Sequence, residues 1–378
     1  MRLVETLNRF AGVDFYDYYF AGTLWRQGHN PYDAVFADTL ARNAGLPCIP
    51  GSDFIYPPWV AAFIAPLTLL SPGTAFLVWS LLSLMAIGGT VRILRAAHVP
   101  PVAAFAILGP PTLFSLLVGQ CNLFVLLLVS LAWVRRTRHP SVAAGLIAAA
   151  GAIKIAPLIL LAAAPRGHRL AWLVGATTVL AVAAIVGELA IPGGLTLWWT
   201  DALAPATRMA ARLAHPVNQG LDGVLSRTLL TNPWTVPVAA IDPTQLGLFA
   251  HIVRGLVILV AAGWAQWNLR SAPACTWRVW GALATVSVLV SPLAWEPAFT
   301  MLAFPFVLHA RHSGVDGARW IIASMTLILA QRALDPLVNS VYAGPLIRLR
   351  SQLSSLGFLG GICLLVALRP CQQGDTRC

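Results

Sequence analysis

Residues 142–164 read VAAGLIAAAGAIKIAPLILLAAA. An apolar run of about 20 residues is what a helix needs to cross a bilayer, yet this one carries an ammonium at Lys154 and a proline at Pro157. An ionisable side chain in lipid costs about 2.5–3.5 kcal/mol on insertion scales, and it faces a cavity or a partner. Proline removes a backbone donor and breaks the helix it interrupts. The stretch therefore predicts two half-helices meeting at Lys154-Ile155-Ala156-Pro157. Each half is about 18 Å long at about 1.5 Å per residue, short of the roughly 30 Å of hydrocarbon. Irregular backbone at that depth is tolerated against a cavity inside the protein.

Similar apolar runs surround it, at roughly 57–70, 73–91, 102–118, 121–134, 170–191, 246–266, 279–308, 318–334 and 353–368. Of the 378 residues 58% are hydrophobic and 10% charged, against about 25% charged in soluble chains, which excludes a water-soluble globule. The alternation of a membrane barrel is absent. The sequence predicts an all-α polytopic membrane protein, a helical bundle with about 9–11 membrane segments. Three regions are expected: 1–56 as an acidic and aromatic extracytoplasmic loop region, 57–368 as the transmembrane domain with an outer loop at 192–245, and 369–378 as a cytoplasmic tail. Segment 57–70 is expected to lie along the membrane or dip into it.

The net charge of +11 describes topology, not a nucleic-acid surface. Lys154 is the only lysine, and the arginines cluster between apolar runs: Arg92 with Arg95, Arg135, Arg136 and Arg138, Arg166 with Arg169, Arg270 with Arg278, and Arg311 with Arg319. Such clusters belong on the cytoplasmic side. By parity the turn Gly119-Gln120-Cys121-Asn122, the break at Lys154, the loop 192–245 and the bend Ser291–Pro297 all fall on the outer side, facing an outward cavity. Six of the 14 carboxylates lie in the first 53 residues, and no apolar h-region there marks a signal peptide. The six cysteines form no CxxC pair, and the eight histidines show no metal-ligand spacing. No phosphate-cradling glycine loop occurs. Neither a metal nor a cofactor is expected.

The candidate site residues come from the outer motifs. Asp14-Phe15-Tyr16-Asp17-Tyr18-Tyr19, Gly28-His29-Asn30-Pro31-Tyr32-Asp33 and Tyr56-Pro57-Pro58 interleave acids with aromatics. That pattern suits carbohydrate, whose hydroxyls donate to carboxylates while its apolar face lies on a ring; it equally suits an interfacial aromatic belt with solvated acids. Lys154 reads as the ligand of an anion such as a lipid phosphate, or as a snorkelling side chain. Gln120 and Asn122 read as sugar ligands or as a helix cap and interhelical bond. Asn218, Gln219, Glu188 and Glu296 carry weaker signals.

These motifs resemble glycosyltransferase family 87, a group of GT-C-type membrane proteins formerly called DUF2029. The resemblance rests on Asp14-Phe15-x-x-Tyr18, Gly28-x-Asn30-Pro31-Tyr32, Tyr56-Pro57-Pro58, Gly119-Gln120-x-Asn122, Lys154-x-x-Pro157, Asn218-Gln219 and Ser291-Pro292-x-x-Trp295, in that order. It implies transfer of a hexose, with mannose the expected sugar, from a polyprenyl-phosphate donor to a lipid or glycan hydroxyl on the outer face of a bacterial plasma membrane, with inversion. The family's essential aspartate maps onto Asp14, with Asp17 the alternative, as general base. Lys154, with His29 and Arg227 behind it, would hold the donor phosphate. Tyr18, Asn30, Tyr32, Tyr56, Gln120, Asn122, Asn218, Gln219, Trp295 and Glu296 would contact sugar or acceptor. Members usually carry a transmembrane helix before the first loop, where 13 residues precede Asp14 here, and an Asp-His pair where Glu296-Pro297 stands. The competing reading is a transporter or flippase of lipid-linked glycan, or a non-catalytic relative.

Overall fold

The structure is a computed structural model describing residues 10–46, 54–96, 109–208, 210–232, 241–271, 276–312, 322–328, 330 and 355–368. The tail 369–378, much of segment 318–334 and the start of segment 102–118 lie outside the described residues. No strand occurs among those described. In chain order the main helices are α1 (Val13–Arg26), α2 (Ala34–Asn43), α3 (Pro58–Ile64), α4 (Pro72–Ala96), α5 (Pro110–Val118), α6 (Asn122–Arg135), α7 (Pro140–Ile153), α8 (Arg169–Ala190), α9 (Leu221–Leu229), α10 (Pro243–Ser271), α11 (Thr276–Leu289), α12 (Ala303–His312) and α13 (Leu356–Ala367). Pro72–Leu94, Arg166–Ala190 and Pro243–Ser271, of 23, 25 and 29 residues, are long and apolar enough to cross a membrane. Their large side chains Leu77, Met85, Leu173, Leu189, Leu259 and Trp267 are exposed along their length, a surface that water does not tolerate. The chain is an all-α membrane protein.

The remaining apolar segments are shorter because the sequence breaks them. At α7 the helix ends at Ile153, and Lys154 turns extended with φ −137° and ψ 124°. Pro157, four residues after Ile153, has no N–H to give that carbonyl, and its ring would strike it. The chain resumes as a 3-10 helix over Ala156–Ala163. The expected break thus falls at Lys154. A second break separates α5 from α6, where Gly119 caps α5 with φ 75°, a left-handed conformation glycine enters freely. A Cβ there would come within 2.5 Å of Phe15 Cβ, so the same glycine lets α1 approach the turn. The third is the bend after Leu289, from which the chain returns as a 3-10 helix, Glu296–Leu302, and α12.

Breaks expose helix-end carbonyls that need donors, and tryptophans supply them. The Nε1–H of Trp59 donates to Ala152 O at 2.8 Å, and that of Trp79 to Gly119 O at 2.8 Å. Around these joints α6, α7, α11 and α12 build one large apolar core, with α7 packed between α6 and α8. Gly175 of α8 sits against the backbone of Ser141, the close approach that small residues permit between membrane helices.

The acidic N-terminal region contains two helices. Its aromatics form a second core, in which Phe15, Tyr16, Tyr18, Tyr19, Tyr32, Phe54 and Tyr56 are buried with Trp79. Helix α3 and the 3-10 turn Ala65–Leu69 pack against α1; together they are too short to span. Among its described residues the connection 192–245 is largely helical as well, passing through Gly194–Leu197, a π-helical turn at Trp198–Leu203, Ala204–Arg208, Ala210–Leu213 and α9.

Candidate active site

Helical spacing brings the first residues together. Asp14, Asp17 and Tyr18 stand at positions i, i+3 and i+4 of α1, which places them on one face. That face meets the turn between α5 and α6, the joint after α7 and the bend before the 3-10 helix Glu296–Leu302. The result is a polar niche of about 70 Å³ lined by Asp14, Asp17, Tyr18, Tyr56, Gln120, Lys154, Arg212 and Trp295, with Ile55, Leu293, Pro297 and Ala298.

Gln120 organises it. Its Nε2 donates to Asp14 Oδ2 at 2.7 Å. Its Oε1 accepts from the hydroxyls of Tyr18 at 2.6 Å and Tyr56 at 2.8 Å, and from the backbone N–H of Cys121 at 3.0 Å. With three donors gathered at the oxygen, the amide nitrogen is the end that faces the carboxylate. Loss of hydration pushes the Asp14 carboxyl up to about 6, opposed by the Lys154 ammonium and the Gln120 hydrogen bond. A carboxylate so placed is a base that titrates near neutral pH. Lys154 Nζ lies 5.7 Å from the Tyr56 ring centre, within cation–π range. Arg212 lies 5.8 Å over the Trp295 ring.

Beside the niche is a much larger chamber of about 660 Å³ with mostly apolar walls, from Ile153, Pro157, Ile159, Trp198, Ile258, Val288 and Met301 among others. Ile55, Tyr56, Lys154, Leu293 and Ala298 line both spaces. The lone lysine therefore stands where the apolar chamber meets the polar niche. Asn122 lines the chamber and not the niche, as do Arg254 and His251; Arg254 forms an ion pair with Asp222.

Other candidates lie outside the niche and the chamber. Asn218 is fully buried; its Nδ2 donates to Leu213 O at 3.0 Å and Pro292 O at 2.9 Å, and its Oδ1 accepts from Gly220 N at 3.2 Å and Ala294 N at 3.0 Å. All its capacity goes to tying the 192–245 connection to the 291–294 bend. Gln219 bonds Pro216 O and Phe358 N. Arg227 is fully buried and donates to His215 O, Asn218 O and Ser355 Oγ, so it braces the same turn. Asn30 bonds Asp201 and the Tyr32 backbone, while the Tyr32 hydroxyl donates to Tyr56 O. His29 is exposed, 5.2 Å from the Phe36 ring. None of these six, nor Glu296, lines the niche or the chamber.

Two further cations border these spaces, Arg212 the niche and Arg254 the chamber. Arg212 lies in the connection 192–245, expected on the outer side, where positive-inside patterning disfavours arginine, and Arg254 interrupts the apolar segment 246–266 as Lys154 interrupts 142–164.

No curated protein and no solved structure matches the chain. The sequence pattern of glycosyltransferase family 87 matches residues 54–292, which takes in Tyr56, Gln120, Asn122, Lys154 and the Asn218-Gln219 turn and begins after α1. More than half of the chain lies within that match, and so the protein belongs to glycosyltransferase family 87 and is a membrane enzyme of the hexosyltransferase type.

Proposed function

We propose that the enzyme moves a hexose, mannose in the first instance, from a polyprenyl-phosphate donor to a hydroxyl of a lipid or glycan on the extracytoplasmic face of a bacterial plasma membrane, with a GT-C-like multi-pass arrangement. The observation that carries the reading is the junction at Lys154: an apolar chamber suited to a prenyl chain meets there a polar niche containing a poised carboxylate. A sugar nucleotide would have no use for the chamber.

In this mechanism the Asp14 carboxylate takes the proton of the acceptor hydroxyl as its oxygen attacks the anomeric carbon. The new glycosidic bond forms while the bond from the anomeric carbon to the phosphate oxygen breaks, so the configuration inverts. The departing polyprenyl phosphate carries the released negative charge, and the Lys154 ammonium offsets it as it develops. No proton is needed on the leaving side. Asp17 and Arg212, with the Trp295 ring, form the wall of the niche available to the acceptor. Asn218, Gln219, Asn30, Tyr32 and Arg227 hold the walls in place.

Membranes containing the wild type should transfer hexose from a defined polyprenyl-phosphate sugar to acceptor, with product read by mass. Asp14→Asn keeps the shape and removes the base, and is expected to lower the rate by about 10²–10⁴ at unchanged protein level. Full activity in both Asp14→Asn and Asp17→Asn would sink the mechanism. Movement of lipid-linked sugar across vesicles with no glycosidic bond formed would favour a carrier.

A further inference from the structure

Two tyrosine hydroxyls converge on the amide that serves the base. Gln120 Oε1 accepts from Tyr18 at 2.6 Å, from Tyr56 at 2.8 Å and from the backbone N–H of Cys121 at 3.0 Å, and the two phenol oxygens lie 3.0 Å apart. A phenol has a single proton to give, so neither tyrosine has one left for a sugar. Tyr56 is itself held on three sides. The Tyr18 ring stands edge-on at 4.9 Å, the Phe54 ring lies at 5.8 Å, and the Tyr32 hydroxyl donates to the Tyr56 carbonyl at 3.0 Å.

A glutamine amide has two orientations, and here they serve opposite forms of Asp14. With Nε2 toward the carboxyl, at 2.7 Å, the amide donates to the carboxylate. Turned over, Oε1 would repel the carboxylate and accept the proton of the neutral acid. The turned amide would also set its N–H groups against the Cys121 N–H, which can only donate. Donors gathered at Oε1 therefore favour the orientation that stabilises the base. The Tyr56 ring meets the other charged group of the reaction: Lys154 Nζ lies 5.7 Å from its centre, within the range at which a ring face attracts an ammonium. Tyr56 lines both the niche and the chamber.

We propose that Tyr56 is a positioning residue for both charged groups: its hydroxyl, together with that of Tyr18, fixes the Gln120 amide toward Asp14, and its ring face holds the Lys154 ammonium. The inference rests on the roles given above to Asp14 and Lys154, and it moves Tyr18 and Tyr56 from sugar contact to positioning. Base and leaving-group cation are then set by one side chain that is fixed before substrate arrives. The titratable and charged groups that share the niche with Asp14 are Asp17 and Tyr18 of α1, Tyr56, Lys154 and Arg212, and the Cys121 thiol lies 3.2 Å from Gln120 Oε1. The phenols act on Asp14 through Gln120, which separates their effect from that of the charges.

The test follows the Asp14 carboxyl by infrared titration of the full-length protein in nanodiscs, its band identified by loss in Asp14→Asn. Tyr56→Phe keeps the ring and removes the hydroxyl. The midpoint, about 6 in the wild type, should rise by about half to one pH unit, the scale of one hydrogen bond. The same substitution made in Gln120→Ala should add no further shift. A midpoint unmoved in Tyr56→Phe, or an equal shift with and without Gln120, overturns the positioning of the base. Binding of undecaprenyl phosphate against undecaprenol probes the ammonium. Tyr56→Phe should keep the wild-type preference for the phosphate, whereas pentafluorophenylalanine at position 56, similar in shape with its ring electrostatics reversed, should cut it about two- to fivefold. Equal preference in the two overturns the ring contact. Transfer is measured alongside. Midpoints that shift as expected in a protein forming no glycosidic bond remove the transferase reading and leave the positioning of Asp14 standing; full transfer with an unmoved midpoint in Tyr56→Phe removes the positioning alone. A wild type without preference for the phosphate takes down the Lys154 role and the ring contact with it.

Discussion

A carboxylate within a few ångströms of an amide donor is ordinary; at Asp14 the balance of opposing effects is what matters. Burial raises its pKa to about 6 while Lys154 and Gln120 hold it from rising further. Because the base acts deprotonated, kcat/KM should rise with pH through about 6 and level above it. Gln120→Ala removes a hydrogen bond that favours the charged form, so the rising limb should move to higher pH. A pH profile of transfer by that variant that overlays the wild type would falsify the coupling. Asp14, Gln120 and Lys154 are legible as candidates because each is a polar group in a place that penalises one, and they line one niche. The packing of Tyr18 and Tyr56 is less legible: their rings belong to the second core, their hydroxyls donate to Gln120, and both residues line the niche. Burial of a tyrosine ring depends on partners such as Phe54 and Trp79 that are distant in the chain, and composition does not show them.

Among the elements, the breaks were the most legible. Pro157 after Lys154 and Gly119 before Gln120 are backbone signals, and backbone chemistry is local. The connection 192–245 was less so, because its short helices are held by contacts to other segments. Asn218 shows the difference. The resemblance implies sugar contacts for Asn218-Gln219, and the structure gives all four hydrogen bonds of Asn218 to the 213–220 turn and the 291–294 bend. Asn218→Ala should therefore destabilise the fold, at about 1–3 kcal/mol for each buried group left unpaired. A lowered thermal midpoint with KM for the donor unchanged in the surviving protein is the expected result. An intact midpoint with a raised KM would instead assign Asn218 to the sugar.

For the molecule as a whole, the arginine clusters and apolar runs foretold an all-helical membrane protein with its polar motifs gathered together, and the niche does gather Asp14, Tyr56, Gln120, Lys154 and Trp295. The break at Lys154 predicts a cavity, but its volume and apolar walls are not legible in the sequence, since they are properties of packing between α6, the 156–163 turn, α10 and α11. Its occupancy is testable by filling it. Ile258→Trp, on the α10 side, should cut transfer from a long-chain polyprenyl-phosphate donor about tenfold, as overpacking of a fitted space does, while leaving the pH at which Asp14 titrates unmoved. Equal rates in variant and wild type would mean that the chain of the donor lies elsewhere. The single lysine has a practical side too. Lys154 is half-buried at the meeting of the two spaces, so an amine-acylating reagent can mark one side chain out of 378. The mass added at that residue, and its suppression when donor is present, turns the composition of this chain into a gauge of whether its site is filled.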